Sequence, residues 1–284
     1  MKIGFIGLGV MGRPMASHLI AAGHQVFLHR VKEISRHLVE AGGQAVDSAQ
    51  AVAEAADIII LMLPDTPDVE TVLFGVDGVA AGLSRGKLVI DMSSISPVAT
   101  KGFARRIAEV GAAYVDAPVS GGEVGAKAAS LTIMVGASEA DFERALPLFQ
   151  LMGKNITRIG EVGDGQTAKV VNQVIVGLTI EAVAEGLTLA KAAGADPAKV
   201  REALMGGFAA SRVLELHGER MVAQTFDPGF RIRLHRKDIG LAMEAAKALE
   251  LYLPHSASLQ QLMNKALAEG LGDKDHSALV EVLR

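Results

Sequence analysis

No cysteine occurs anywhere in the 284 residues. That excludes disulfides, thiolate metal centres and a cysteine nucleophile, and it suits a reducing cytoplasm. Tryptophan is absent too, and aromatic residues make up only 4% of the chain. Alanine and glycine abound instead, which suits a tightly packed α/β protein with long helices. Excess charge of one sign is also lacking. A formal net charge of −4 gives no electrostatic footprint for nucleic acid. The longest apolar run, 55–64, is interrupted by Asp57 and is too short to cross a bilayer. Met1-Lys2 before apolar residues faintly resembles a signal peptide. Glycines break that stretch and Arg13-Pro14 follows without a cleavage site, so it reads as a first strand. His18, His24, His29, His37, His217, His235, His255 and His276 show no HExxH or other ligand spacing, so no metal is expected. There is no GxSxG nucleophile elbow, and no Gly-Lys-Ser/Thr of a P-loop.

What the chain does have begins at its N-terminus. Lys2 to Ile6 is a short apolar strand, Gly7, Gly9 and Gly12 form a GxGxxG, and Met15, Leu19 and Ile20 mark an amphipathic helix. Strand, glycine turn and helix in this order are the dinucleotide fingerprint. Gly7 allows the tight turn, Gly9 lets the backbone approach a pyrophosphate, and Gly12 lets helix and strand pack closely. The phosphates then meet the helix N-terminus.

Half of the residues are apolar, enough for a sizeable core, and the length suits one large domain or two ordinary ones. Strands are predicted at 3–6, 25–29, 57–63, 87–91, 113–116, 131–135 and 155–159, with helical segments such as 97–110 and 139–151 between them. Such alternation means βαβ units and a largely parallel sheet. DIIILML is apolar on both faces, as a buried parallel strand should be. Beyond Gly165 no further strand signal appears. Residues 166–193 read as one long helix, apolar around most of its circumference and therefore buried. Helices are expected at 197–205, 239–251 and 256–269. The pattern predicts a doubly wound nucleotide-binding domain over 1–162 and an all-helical domain over 163–284, joined by the long helix. The turn-rich GEVGDG marks the boundary. So much apolar surface on one helix predicts a homo-oligomer, a dimer or a tetramer.

Three clusters carry candidate chemistry. In DAPVSGG (116–122), Ser120, Gly121 and Gly122 offer consecutive backbone N–H groups beside a hydroxyl, a nest for a carboxylate; a plain flexible turn fits the pattern equally well. In GQTAKVVNQ (165–173), Lys169, Asn172 and Gln173 share one helix face in an apolar segment. Convergent polar groups there need partners or a ligand, and a lysine can protonate a carbonyl oxygen, the more readily where apolar surroundings lower its pKa. The bland alternative is a lysine that snorkels to water. In FRIRLHRKD (230–238) the basic residues read most simply as a solvated face, and otherwise as cations near a cofactor.

GFIGLGVMGRPMA, DAPVSGGEVGA, GDGQTAKVVNQ and LHRKDIGLA occur together and in the order of the signature regions of the β-hydroxyacid dehydrogenases. The whole chain resembles that family, which includes 3-hydroxyisobutyrate dehydrogenase and, more distantly, 6-phosphogluconate dehydrogenase. DMSSISP, KVVNQVIV, MGGFAASRVLE, DPGFRIRLHRKD and DHSAL resemble its branch acting on tartronate semialdehyde. The resemblance implies that Lys169 is the catalytic acid/base and Asn172 a substrate ligand. Ser120, Gly121 and Gly122 would hold the substrate carboxylate. Gly7, Leu8, Gly9, Val10, Met11, Gly12, His29, Arg30, Leu63, Pro64 and Ser94 would line the cofactor site, which Lys237 would help close. Several relatives carry asparagine four residues after the lysine. Here Gln173 holds that position, so either amide is a candidate substrate contact. The second strand ends His29-Arg30-Val31-Lys32 with no carboxylate for a ribose hydroxyl, which favours NADPH over NADH. Other short semialdehyde or β-hydroxyacid reductases, an imine reductase, or a non-catalytic dinucleotide-binding module are the competing readings. The retained lysine and the SGG set weigh against the last two.

Overall fold

A computed structural model describes residues 1–283 as two compact units, 1–169 and 170–283. The first holds every strand: β1 (Lys2–Ile6), β2 (Gln25–His29), β3 (Gln44–Val46), β4 (Ile58–Leu61), β5 (Leu88–Asp91), β6 (Ala113–Asp116), β7 (Val119–Ser120), β8 (Leu131–Gly136) and β9 (Gly153–Gly160). They form one sheet in the order β3-β2-β1-β4-β5-β6-β8-β7, with β9 paired to β8. The six strands from β3 to β6 run parallel. β8 runs antiparallel to β6 and β7, and β9 parallel to β8.

Side-chain alternation explains why the parallel strands are apolar throughout. Ile58 and Ile60 of β4 enter the core on one face with Ile3, Phe5, Leu88 and Ile90. Ile59 and Leu61 enter the core on the other with Ile6, Val52, Val69 and Val89. Both faces are covered, so a period of 2 carries no polar residue. The strand order reverses between β1 and β4, the switch point at whose carboxyl edge doubly wound sheets bind ligands.

The second unit is helical. The long helix spans Asp164–Ala192, and the division between the units falls within it, between Lys169 and Val170. Helices Pro197–Leu204, Arg212–Ala223, Ile232–Ala248 and Pro254–Ala268 follow, then a 3₁₀ segment, His276–Leu283. Ile180, Ala184, Leu187, Ile232, Ile239, Leu259, Met263 and Leu279 form the core of this unit.

Four features differ from the sequence expectation. β3 and β7 are additional strands, too short for alternation to show. Arg212–Ala223 is an additional helix, started by Ser211, whose Oγ accepts the Leu214 N–H at 3.0 Å. The helix expected from 239 begins at Ile232, so the basic run is helical. Arg231 and Arg233 are exposed, as a solvated face requires, whereas His235 and Asp238 on the opposite side of the helix are buried. Finally, the long helix is not buried all round: Val171, Ile175 and Leu189 are 52%, 60% and 70% exposed. One stripe of it faces the core of its unit and another faces outward.

Candidate active site

The turn after β1 is built by contact rather than by flexibility. Gly7 takes φ +107°, and a Cβ there would overlap the Met62 carbonyl oxygen. A Cβ on Gly12 would overlap the Gly7 carbonyl and touch the Phe5 ring at 3.1 Å. Gly9 is the opposite case: nothing lies within 4 Å of a Cβ placed on it. The loop is thus locked by its first and third glycines and open at its second. It leads into helix Gly12–Ala21, whose first N–H groups have no acidic side chain beside them. The chain entering the neighbouring loop after β4, toward Leu63 and Pro64, is held by the Met62 N–H, which donates to the Ile6 carbonyl at 2.9 Å. These residues fit a dinucleotide: an open backbone approach, a helix start and no carboxylate at the end of β2, where Arg30 follows His29 in the left-handed region (φ +58°).

The loop after β5 carries Ser94 and is fixed by buried polar groups. Asp91 accepts the Ser93 N–H at 2.9 Å and the Tyr114 hydroxyl at 2.8 Å. Ser93 Oγ accepts the Leu63 N–H at 2.9 Å, tying this loop to the one after β4. The Gln166 side chain then clasps it from the long helix, donating to the Ser93 carbonyl at 2.7 Å and accepting the Ile95 N–H at 3.1 Å.

Asp116, at the end of β6, completes the clasp. Its two oxygens accept the N–H groups of Gly163 and Gln166, each at 2.7 Å, and so cap the start of the long helix from a distant strand. The carboxylate fits because Gly136 and Gly165 have no side chains; a Cβ on either would collide with it. Burial pushes the Asp116 carboxyl up to about 7, against the two amide hydrogen bonds that hold it down. One turn beyond Gln166 stands Lys169, only 8% exposed, so it does not snorkel to bulk water. Ser120 lies at the end of β7, paired with Thr132, and Gly121 and Gly122 follow at φ +129° and +60°. Both angles lie where glycine is favoured and a side chain would be strained.

The second unit resolves the two amides differently. Gln173 is buried, its Nε2 donating to Asp238 Oδ2 at 2.5 Å and its Oε1 accepting from Asn172 Nδ2 at 2.8 Å. Asp238 Oδ1 lies 2.9 Å from Lys237 Nζ. Gln173 is therefore a link between the acid and Asn172, and Asn172, half-buried, is the freer of the two.

The sequence reading passed over Asp91, Asp116, Gln166 and Asp238. All four lie inside stretches it quoted, Asp116 and Gln166 beside glycines, Asp91 at the start of DMSSISP and Asp238 at the end of FRIRLHRKD.

Two family models cover the chain. The model described as the NAD binding domain of 6-phosphogluconate dehydrogenase matches residues 2–160. A second, described as NAD-binding of NADP-dependent 3-hydroxyisobutyrate dehydrogenase, matches 163–283. The 2-hydroxy-3-oxopropionate reductase of Escherichia coli K12 is 57% identical, over 100% of this chain and 97% of that one. The chain belongs to the β-hydroxyacid dehydrogenase family. This β-hydroxyacid dehydrogenase is also 42% identical to the 2-(hydroxymethyl)glutarate dehydrogenase of Eubacterium barkeri, over 99% and 94% of the two chains. Among solved structures, the 3-hydroxyisobutyrate dehydrogenase of Mycobacterium tuberculosis, with L-serine, superposes with a TM-score of 0.91 at 31% identity, covering 99% and 98%. The chain is an NAD(P)-dependent oxidoreductase. Helix Asp164–Ala192 is long and apolar enough to span a bilayer by length and composition alone, which for a single helix is weak evidence of a membrane.

Proposed function

We propose that this dehydrogenase reduces tartronate semialdehyde (2-hydroxy-3-oxopropionate) to D-glycerate, with Lys169 as general acid. The observation that carries this reading is the 57% identity over the whole chain to a reductase of that substrate. The burial of Lys169 in the second turn of the long helix supports its role, because a lysine held out of water is a chemical group rather than a solubilising one.

Bound reduced nicotinamide supplies the hydride for the aldehyde carbon; the protein supplies position and charge. Gly7, Leu8, Gly9, Val10, Met11 and Gly12, with His29, Arg30, Leu63, Pro64, Ser94 and Lys237, are the proposed cofactor residues. Ser120, Gly121 and Gly122 hold the substrate carboxylate by N–H and O–H donation. The Lys169 ammonium hydrogen-bonds the aldehyde oxygen, stabilises the negative charge that grows there, and gives up its proton as the hydroxyl forms. Asn172 orients the substrate, and Gln173 orients Asn172. Arg30, with Lys32 near it in sequence, favours a 2′-phosphate and hence NADPH. The outward apolar residues Val171, Ile175 and Leu189 support a homo-oligomer. The cytoplasm is the proposed compartment.

The decisive experiment assays tartronate semialdehyde against other short semialdehydes and β-hydroxyacids with NADPH and with NADH. The expected result is the highest kcat/KM for tartronate semialdehyde. In Lys169→Ala, turnover falls about 100-fold or more while cofactor affinity is retained. Near-normal turnover by that variant removes Lys169 from the mechanism, and a stronger preference for another substrate replaces the assignment.

A further inference from the structure

Three imidazoles stand in line in the second unit. His217 Nε2 lies 3.2 Å from His276 Nε2, His276 Nδ1 lies 2.9 Å from His235 Nδ1, and His235 Nε2 lies 3.0 Å from the Gln173 carbonyl oxygen. His235 and His276 are buried, whereas the His217 side chain is 19% exposed. The row therefore runs from solvent to the backbone of the long helix.

Its direction follows from counting protons. A carbonyl only accepts, so His235 Nε2 carries the hydrogen and, in a neutral ring, His235 Nδ1 is an acceptor. His276 Nδ1 must then donate, which leaves His276 Nε2 to accept from His217 Nε2–H. Burial beside two other imidazoles and Arg220 pushes the His276 pKa well below its usual value, consistent with a neutral ring. At the outer end, His217 Nδ1 lies 3.4 Å from Asp275 Oδ1.

Asp275 is the anchor. It accepts Ser277 N–H and Oγ–H on one oxygen, at 3.1 and 2.6 Å, and Gly229 and Phe230 N–H on the other, at 2.9 and 3.1 Å. Arg220 Nη1 adds an ion pair at 2.9 Å. His217, Asp275 and His276 offer donor atoms within 4.8 Å of one another, close enough for a cation. A carboxylate already holding four hydrogen bonds and a guanidinium has little left to offer one, and N–H···N bonds account for the ring spacings.

The inner end meets the candidate site. His235 and Asp238 lie three residues apart on helix Ile232–Ala248 and share a face. His235 takes the backbone carbonyl of Gln173 and Asp238 takes its side-chain amide. Gly177 opens the lane for this grip: a Cβ there would lie 3.2 Å from His235 Nε2 and 2.7 Å from Leu259.

We propose that His217, His276 and His235 form a one-directional imidazole chain, anchored by Asp275, that positions Gln173 and through it Asn172. His235 and His276 are positioning residues and touch no substrate. The proposal rests on Asn172 being a substrate ligand, as argued above.

The test begins with the unmutated full-length enzyme. Nitrogen-15 spectra of its histidines should show His235 as the Nε2–H tautomer and His276 as the less common Nδ1–H tautomer. This readout needs neither substrate nor turnover, so it survives a wrong substrate assignment. His276→Phe then cuts the chain while keeping a ring against Phe230 and His235. The expected result is a rise of about tenfold in KM for the semialdehyde with kcat changed less than about twofold, and loss of the fixed His235 tautomer. An Nε2–H tautomer at His276, one equivalent of zinc or another divalent metal in the purified enzyme, or an unchanged KM in a folded His276→Phe variant would each overturn the proposal.

Discussion

Gln173 and Asp238 are joined by a 2.5 Å hydrogen bond across 65 residues of sequence, both side chains being buried. The bond makes the amide of Gln173 a fixture and turns its oxygen toward Asn172. Hydrogen bonds to a buried charge contribute about 1.5–3 kcal/mol. Asp238→Asn keeps the shape but faces the Lys237 ammonium with an amide in place of a carboxylate. We expect kcat/KM for the semialdehyde to fall about 10- to 100-fold, mostly through KM. Asn172→Ala should have a similar effect, and the double variant should be little worse than either single one, because both break one chain of contacts. Additive losses would show that Asp238 acts independently of Asn172.

The visibility of these residues in the sequence varies with the range of the interaction. β4 was legible because Ile58 to Leu61 are apolar at every position, and only a strand covered on both faces needs that. The glycine turn was legible because Gly7 and Gly12 each do a local steric job and Gly9 leaves the backbone open. β3 and β7, with three and two residues, are too short for a period to appear. The basic run was legible on one face only, that of the exposed Arg231 and Arg233. Ile232, His235, Asp238 and Ile239 follow helical spacing and are all buried, but the charges between them drew attention to solvent. Lys169, Asn172 and Gln173 could be placed on one helix face from spacing alone. Their partners could not: pairing Gln173 with Asp238, or Gln166 with Ser93, requires the tertiary fold.

The glycine turn allows stability and cofactor affinity to be separated. A methyl group at Gly9 meets nothing within 4 Å, whereas one at Gly12 overlaps the Gly7 carbonyl. Gly9→Ala should therefore leave the unfolding temperature within about 2 °C of the parent, since surface changes away from packed features cost little. It should still weaken NADPH binding tenfold or so by blocking the backbone's approach to phosphate. Gly12→Ala should lower stability by about 1–3 kcal/mol, the usual cost of overpacking. Thermal unfolding and cofactor titration on both variants check this. A destabilised Gly9→Ala, or one that binds NADPH normally, would contradict it.

Asp116 makes stability depend on pH in a defined window. The unfolded residue ionises near 3.8 and the folded one near 7. Between those values the native state holds a proton that the unfolded chain has lost. Its contribution to stability therefore declines as pH rises through the window and is level above it. Asp116→Asn has no such titration. The difference in urea-derived stability, parent minus variant, should fall from pH 4 to pH 7 and then stay constant. A pH-independent difference would mean that the carboxyl group titrates at its ordinary value. The same variant keeps only one acceptor for the Gly163 and Gln166 N–H groups. It loosens the start of the helix bearing Lys169, and kcat should drop by about tenfold.

Arg30 offers the last test, of cofactor choice. It follows directly on β2, where a carboxylate that would bind ribose hydroxyls is missing, and its backbone sits at φ +58°. A guanidinium pairs with a phosphate through two parallel N–H···O bonds, and such charge-assisted pairs are roughly twice as strong as neutral ones. Removing it should therefore affect one cofactor and spare the other. In Arg30→Ala, kcat/KM for NADPH should fall about 10- to 100-fold while that for NADH changes less than about threefold. Arg30→Asp should go further, repelling the 2′-phosphate while offering an acceptor to the free hydroxyl, so that NADH becomes the better cofactor. A parent enzyme that already prefers NADH, or an Arg30→Ala variant that loses equally with both cofactors, would assign Arg30 to the surface rather than to the 2′-phosphate.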